Sequence, residues 1–519
     1  MMQLVIPMSG IGQRFKNAGY SLPKPLIQIS GKPIVQHVVE MFPGVEDILF
    51  IVNREHFNDL DLNLKVQLLE IAPNAEIVVI DNHKFGPAWA IKQAKDFIKL
   101  DVPVVVNYCD FACIWNFSEF RAELHSGIDG LIATYSGFHP HMLRNAQYAY
   151  LKLDESENLV QIQEKHPFTS EPMSEPASSG TYGFGTGQIL LDAITAQIEC
   201  DDSYNKEFYS SLTFKNMISS GKVIKKFEID RFFQWGTPED FEDFKKQKDF
   251  FTFLSKQKVR FSNSDRLEIL AAGAGKRFVD SGYSTPKPFL PLGDSSLLQK
   301  AIESLGKPEN SIGILLQDSC EIPDEGVIQL RKSEVETRRV SGLTRGQAES
   351  AAIALKSDKK GSCTVGTCDS LIFPTSDTNL KSQKRTMGVW VNEPSDFAIS
   401  HPNQFGWVSL NSANEVTNSW VKIAPNTEDQ VYVISGTFFF GDDQEAVSLI
   451  ESFLHTNSLV NGEYYLDSVL AFAEEAGWKI LGFKPEWFVS LGTPDEYETY
   501  RYWESVFSIR PDLLVNDEE

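Results

Sequence analysis

A stretch near the start of the chain reads IPMSGIGQRF at residues 6–15, then GY at 19–20 and PKP at 23–25. Far downstream a similar run returns as LAAGAGKRF at 270–278, GY at 282–283 and PKP at 286–288, with the shared landmarks 263 residues apart. Later landmarks keep the same order with the small drifts that loop deletions leave. Gly86 matches Gly346, Asp110 matches Asp369, SGTY at 179–182 matches SGTF at 435–438, and GTPED at 236–240 matches GTPDE at 492–496. Chance does not hold order and spacing over so many points, so the chain is a tandem duplication. Whatever fold it adopts must be buildable twice, from residues 1–258 and again from 264–519. The joint is expected near residue 260, in the polar, turn-rich stretch SKQKVRFSNSD at 255–265.

Within the first copy, short β-branched apolar runs at residues 4–8, 48–52, 77–80 and 102–106 read as buried strands. Helical patterns lie between and after them, at 34–42, 60–71 and 87–98. The second copy repeats the strands near 267–270, 312–316 and 364–365. Such alternation predicts α/β architecture: two tandem Rossmann-like, three-layer α/β/α domains with mostly parallel mixed sheets. In open sheets of this kind ligands bind at the carboxyl ends of the strands.

Composition narrows the partners. The formal charge of −23 opposes binding to a phosphate backbone, so no nucleic-acid partner is expected. A pocket for one small phosphorylated molecule needs only a few local cations, and the bulk charge does not exclude it. No run approaches the ~20 apolar residues of a membrane span, and the apolar stretch at 4–8 is too short for a signal-peptide core. The six cysteines, at 109, 113, 200, 320, 363 and 368, form no CxxC pair and read as reduced thiols of a cytoplasmic protein.

The chemistry-bearing residues recur with the repeat. Gly10 and Gly12, like Gly273 and Gly275, directly follow a strand, where glycine lets backbone N–H groups approach a phosphate closely. Arg14 and Arg277 add a forked donor beside them. A plain strand-to-loop turn is the alternative. A dinucleotide fingerprint does not fit, because Phe15 and Phe278 stand where its third glycine belongs, which argues against a nicotinamide oxidoreductase. Lys24 and Lys287 lie between prolines, which stiffen the segment that presents them; the alternative is a solvated loop lysine. Asp110 and Asp369 each close a strand and could bind Mg²⁺ or cap the next turn. Lys165 and Lys422 follow further strand-like segments and could hold a second phosphate or snorkel at the surface. Glu164 precedes Lys165, whereas Val421 takes its place in the second copy. Gly180 and Gly436 would relieve a strand against a ligand, and Thr-Pro in the last motif reads as a helix cap. His139 and His141 form an isolated pair with no further ligands and are taken as structural.

In this order, GxGxRF, PKP, the strand-end Asp, EK, SGTY and GTPED resemble the sugar-phosphate nucleotidylyltransferases, also called nucleotide-diphospho-sugar pyrophosphorylases. The resemblance spans nearly the whole chain, twice. Through IPMSGIGQRF, NYCD at 107–110, GFHPH at 137–141 and GTPED, copy one is similar to the branch of capsule and surface-polysaccharide gene clusters. The resemblance implies attack by an acceptor phosphate on the α-phosphorus of an NTP, releasing pyrophosphate and giving an NDP-activated sugar. It implies Arg14 on the leaving pyrophosphate, Lys24 at the α-phosphate, Asp110 on Mg²⁺, Lys165 on the acceptor phosphate and Glu164 and Gly180 near the acceptor. Gly86, Pro87 and Ala88 would lie along the nucleobase. The second copy offers Arg277, Lys287, Asp369, Lys422 and Gly436, with Gly346, Gln347 and Ala348 at the base. Two departures stand out. Gln234 and Ser490 occupy the positions where many relatives carry a second metal-binding aspartate, and the second copy lacks the Glu of EK. The alternatives are one active copy beside a degenerate regulatory one, and a wholly non-enzymatic nucleotide sensor or scaffold. Homo-oligomerisation is left open.

Overall fold

All six residues of the first strand, β1 (Gln3–Met8), are buried, as an unbroken apolar run requires when helices cover both faces of a sheet. With β2 (Asp47–Asn53), β3 (Glu76–Ile80) and β4 (Val104–Asn107) it forms a parallel core in the order β3-β2-β1-β4. The sheet then continues through β5 (Gly130–Tyr135), β6 (Ala149–Leu153), β7 (Leu159–Glu164), β8 (Ala177–Phe184) and β9 (Ile224–Glu228). Here β8 runs antiparallel to β4 and carries two arms: antiparallel β5, which pairs in parallel with β9, and the β6–β7 hairpin.

The second half repeats this strand for strand. Its parallel core is β10 (Arg266–Leu270), β11 (Ser311–Gln317), β12 (Val335–Val340) and β13 (Cys363–Thr367), in the order β12-β11-β10-β13. It continues with β14 (Thr386–Asn392), β15 (Gly406–Leu410), β16 (Val416–Val421), β17 (Val431–Phe440) and β18 (Lys479–Phe483). Antiparallel β17 again carries both arms, β14 with parallel β18, and the β15–β16 hairpin. One topology thus occurs twice, the structural counterpart of the sequence repeat. Alternating side chains of β10 and β11 feed two separate cores, Leu270 and Leu315 into one, Leu267, Ile269, Ile312 and Ile314 into the other.

The computed structural model describes residues 1–144, 148–257, 262, 264–375 and 383–515. The joint expected near residue 260 lies outside the described residues. The chain divides into two compact units, Met1–Phe253 with Tyr502–Glu519, and Leu254–Arg501. Sequence landmarks group the C-terminal segment with the second copy; its packing groups it with the first unit. There the Tyr502 hydroxyl donates to the Phe232 carbonyl, Ser30 Oγ donates to the Leu513 carbonyl at 2.7 Å, and Trp503 and Phe507 meet the rings of Phe244 and Phe251.

Three element boundaries differ from the sequence pattern. The helix expected over 60–71 begins only at Leu64 and runs to Ile71; Asp59 accepts from the Asp61 N–H, and this local turn separates it from the preceding helix Arg54–Asn58. Helix Pro87–Gln93 stops short of residue 98, with Lys95–Phe97 continuing as a tight 3₁₀ turn. The fourth strand starts at Val104, after Pro103, which has no N–H to give. No helix among the described residues is long and apolar enough to cross a membrane.

Candidate functional site

The loop after β1 leaves its strand at the carboxyl end and folds against the proline-flanked lysine. Gly12 sits at φ +68°, and a Cβ there would lie 3.9 Å from Lys24 N; Gly275, at φ +59°, would meet Lys287 Cβ at 3.5 Å. Gly10 and Gly273 face open space, with no heavy atom within 4 Å of a built Cβ. Phe15 and Phe278 explain the missing third glycine: each is buried, Phe15 against Tyr20 and Phe241, Phe278 against Tyr283 and Tyr497. The preceding turn leaves Arg14 and Arg277 exposed.

Lys24 opens a single 3₁₀ turn, Lys24–Leu26, held by Leu26 N–H donating to the Pro23 carbonyl at 2.8 Å; Lys287–Phe289 is built alike on Pro286. So fixed, Lys24 Nζ donates to Asp110 Oδ2 at 2.7 Å and Lys287 Nζ to Asp369 Oδ2 at 2.5 Å. Burial pulls the Lys24 ammonium down, but Asp110 and the Cys109 thiol more than offset this and hold it above the ordinary lysine value. Burial likewise pushes the Asp369 carboxyl up, and Lys287, with Thr367, brings it below the usual range.

The GTPED motif closes this site from the other side. A Cβ on Gly236 would stand 3.1 Å from Asp110 Oδ2, so the glycine makes room for the carboxylate. Its Thr and acid form a capping box: the Asp240 N–H donates to Thr237 Oγ1 at 3.2 Å and Thr237 Oγ1 to Asp240 Oδ2 at 2.6 Å. Thr493 and Glu496 repeat it. Gln234 accepts from the Tyr148 hydroxyl and donates to Asp240, so an amide network stands at the position where the sequence resemblance led an acid to be expected. Among the described residues no group of three or more His, Cys, Asp or Glu could hold a metal. His141 faces the Tyr135 hydroxyl at 3.1 Å, and burial pushes the His139 imidazole down to about 4, as befits neutral core rings.

Beyond β7, Lys165 adopts φ +59° and donates to the Tyr209 hydroxyl at 2.9 Å, with Nζ 4.7 Å from that ring's centre. Lys422 has φ +56°, bonds the Gln404 carbonyl and lies 5.1 Å from the Tyr465 ring. Buried Glu164 accepts from Ser211 Oγ at 2.5 Å; burial pushes its carboxyl up, with Ser211 and Lys165 pulling part of the way back. Gly180, at φ +100°, packs a built Cβ 3.0 Å from Phe111 and 3.1 Å from Tyr108, so aromatic rings already fill the space it leaves. Gly436 accepts from Gln347 Nε2 at 3.0 Å.

Gly86 caps helix Pro87–Gln93 beside a segment that motif reading overlooked. Phe208 N–H donates to the Phe85 carbonyl at 2.8 Å and Ala88 N–H to the Phe208 carbonyl at 3.0 Å. In the second half Tyr464 bonds Arg345 and Ala348 in the same way, at 2.8 and 2.9 Å. The overlooked signal was NKEFY at 205–209 returning as NGEYY at 461–465. The rims differ: rings of Phe85, Trp89 and Phe208 line up in the first half, whereas Arg345 pairs with Glu349 over Tyr464 in the second.

Sequence comparison gives these geometries relatives. The Bifunctional protein GlmU of Methanocaldococcus jannaschii is 27% identical over 187 residues, 35% of this chain and 40% of that protein. A UTP–glucose-1-phosphate uridylyltransferase 2 of Streptococcus pyogenes is 30% identical over 131 residues, 22% of this chain and 44% of the relative. A mannose-1-phosphate guanyltransferase of Yarrowia lipolytica is 32% identical over 127 residues, 24% and 34% of the two chains. The chain thus spans less than half the length of these relatives. The crystal structure of a nucleoside-diphosphate-sugar pyrophosphorylase from Vibrio cholerae RC9 aligns over 47% of this chain and 100% of its own, at 21% identity and a TM-score of 0.39. The family model that matches is that of the nucleotidyl transferases, and it matches residues 4–248 of this chain.

Proposed function

We propose that the chain transfers a nucleotidyl group from an NTP to a sugar phosphate with release of pyrophosphate, and that both halves carry a site for it. One observation carries this reading: in each half a glycine loop, a proline-flanked lysine and a strand-end aspartate converge, with Lys–Asp contacts of 2.7 and 2.5 Å. An acceptor phosphate oxygen attacks the α-phosphorus, the bond from that phosphorus to the β-phosphate oxygen breaks, and pyrophosphate leaves. Such a reaction asks the protein for positioning and charge neutralisation rather than covalent chemistry. Gly10 and Gly12 let the backbone approach the phosphates, Arg14 takes the leaving pyrophosphate, and Lys24 faces the charge growing at the α-phosphate. Lys165 holds the acceptor phosphate and Glu164 its hydroxyls, while the Gly86–Ala88 turn receives the base. Arg277, Lys287, Lys422 and the Gly346–Ala348 turn take these tasks in the second half.

Asp110 and Asp369 suit Mg²⁺, which needs only one or two carboxylates when phosphate and water supply its other oxygens, and both side chains are partly exposed beside the glycine loop. The ion, when bound, neutralises phosphate charge. The similarity of copy one to the capsule branch supports surface polysaccharide as the destination of the NDP-sugar. A second reading, with copy one active and copy two regulatory, draws on the charged Arg345–Glu349 rim of the second half.

The test is pyrophosphate release by the full chain with Mg²⁺, the four NTPs, and sugar 1-phosphates beginning with glucose and mannose 1-phosphate, the sugars named in its relatives. Asp110→Asn abolishes turnover in the first half and Asp369→Asn in the second. Nucleotide binding without pyrophosphate release above the Asp110→Asn/Asp369→Asn blank overturns the proposal in favour of a sensor. Turnover lost entirely with Asp110→Asn supports the regulatory reading of copy two.

A further inference from the structure

At one place beside the second lysine the halves differ by three residues at once. In the first half β6 begins and β7 ends with Ala149 opposite Glu164, whose carboxylate bonds Ser211. In the second half β15 begins and β16 ends with Gly406 opposite Val421, and Asp467 stands in the place of Ser211. Backbone contacts fix the equivalence on both sides. Lys165 N–H donates to Tyr148 at 2.9 Å and Lys422 N–H to Phe405 at 3.0 Å. The bridges Tyr204–Glu207 and Val460–Glu463 precede the two segments in matching register.

The three changes compensate one another. Val421 removes the acid from the strand, and Asp467, buried at the start of helix Asp467–Glu475, restores one from the helix. A Cβ on Gly406 would stand 2.0 Å from Asp467 Oδ2, so the alanine of the first half would force this carboxylate to shift. The electrostatic setting is kept as well: burial pushes both carboxyls up, Lys165 partly offsets this at Glu164, and Lys422 partly offsets it at Asp467, which is left at about 6. Burying a carboxylate costs stability, so packing alone does not explain why the acid returned.

We propose that Asp467 is the acceptor-side carboxylate of the second half, accepting hydroxyl hydrogen bonds from a sugar whose phosphate Lys422 holds. This rests on the nucleotidyl-transfer reading and deepens it: the second half keeps an acceptor site, with the acid entering from the helix side. A different approach direction selects a different arrangement of hydroxyls.

The experiment uses the full chain carrying Asp110→Asn and Lys165→Met, which silence the first half, titrated calorimetrically with glucose 1-phosphate, mannose 1-phosphate and inorganic phosphate. Adding Asp467→Asn weakens the sugar phosphate that binds by about ten- to hundredfold while leaving inorganic phosphate within about threefold. Grafting the first half's solution, Gly406→Ala with Val421→Glu and Asp467→Ser, recovers sugar-phosphate binding. Unchanged affinity in Asp467→Asn, equal losses for sugar phosphate and phosphate, or a folded graft without recovery each overturn the assignment. A graft that no longer melts cooperatively leaves the decision with Asp467→Asn. If the silenced chain binds no sugar phosphate at all, the assignment falls together with the reading for the second half; the first half is judged separately in Asp369→Asn/Lys422→Met.

Discussion

Gly86→Ala and Gly10→Ala separate glycines that the fold needs from glycines that a ligand would need. Gly86 sits at φ +86°, and a Cβ there would lie 2.8 Å from both the backbone N and O of Phe208. The left-handed conformation costs an alanine about 1–2 kcal/mol. Displacing Phe208 strains its bonds to Phe85 and Ala88 and adds about 1–3 kcal/mol. The sum, about 2–5 kcal/mol, corresponds to roughly 6–15 °C in melting temperature for a unit of this size. Gly346, at φ +134° with a built Cβ 2.5 Å from the Tyr464 carbonyl oxygen, behaves alike in the second unit. Gly10 lies outside the left-handed region and meets nothing within 4 Å, so Gly10→Ala leaves melting within about 1 kcal/mol of wild type. If phosphate passes there, the same methyl lowers nucleotide affinity about tenfold or more, because backbone N–H groups can no longer close on it. Scanning calorimetry and nucleotide titration on both variants decide the matter. A Gly86→Ala protein that melts like wild type would falsify the packing argument; a Gly10→Ala protein with undiminished nucleotide affinity removes the phosphate role from this loop.

Two further outcomes concern the second unit. Fully buried Glu268 accepts from Arg266 at 2.6 Å and also from Arg338, while Arg266 bonds Asp443. Glu268→Ala leaves buried guanidinium charge under-compensated and lowers the stability of this unit by about 3–5 kcal/mol, read as an earlier urea transition with that of the first unit unmoved. Asp467 has its folded value raised from 3.8 to about 6, so its contribution is fully present below the unfolded value and is lost as pH rises through the folded one. The stability of the second unit, read from urea unfolding, therefore declines between pH 4 and 6 by up to roughly 3 kcal/mol, and Asp467→Asn flattens that slope. A slope equal in wild type and variant sinks the assignment of this titration to Asp467.

Much of the fold was legible in the sequence because the residues that specify it act locally. Unbroken runs such as 4–8 and 48–52 can be buried only as inner strands, and Thr-Pro with an acid at 240 or 496 writes a capping box in consecutive residues. The lysine and strand-end aspartate were legible as members of one site because both recur, although their contacts span 86 and 82 residues. What stayed hidden depends on packing across the chain. Nothing local shows that Gly180 yields space to Tyr108 and Phe111, or that residues 502–515 pack with the first unit rather than with the copy they follow.

The loss of Glu164 in the second copy shows the same limit from the other direction. Aligned by motif, Val421 reads as decay, since the EK pair is a feature of two adjacent residues. Paired by strand register, Val421 faces Gly406, and Gly406 is the residue that admits the carboxylate of Asp467. Duplicated sites are constrained by the charge and volume of a neighbourhood, and a neighbourhood can be kept while every residue in it changes. Degeneracy of a repeat is therefore to be judged by what its side chains surround. By that measure the acid beside Lys422 has moved from strand to helix, whereas the rim at Arg345 and Glu349 has changed its chemistry outright, from a row of aromatic rings to an ion pair. On the nucleotidyl-transfer reading proposed above, divergence between the halves is expected first in the nucleobase.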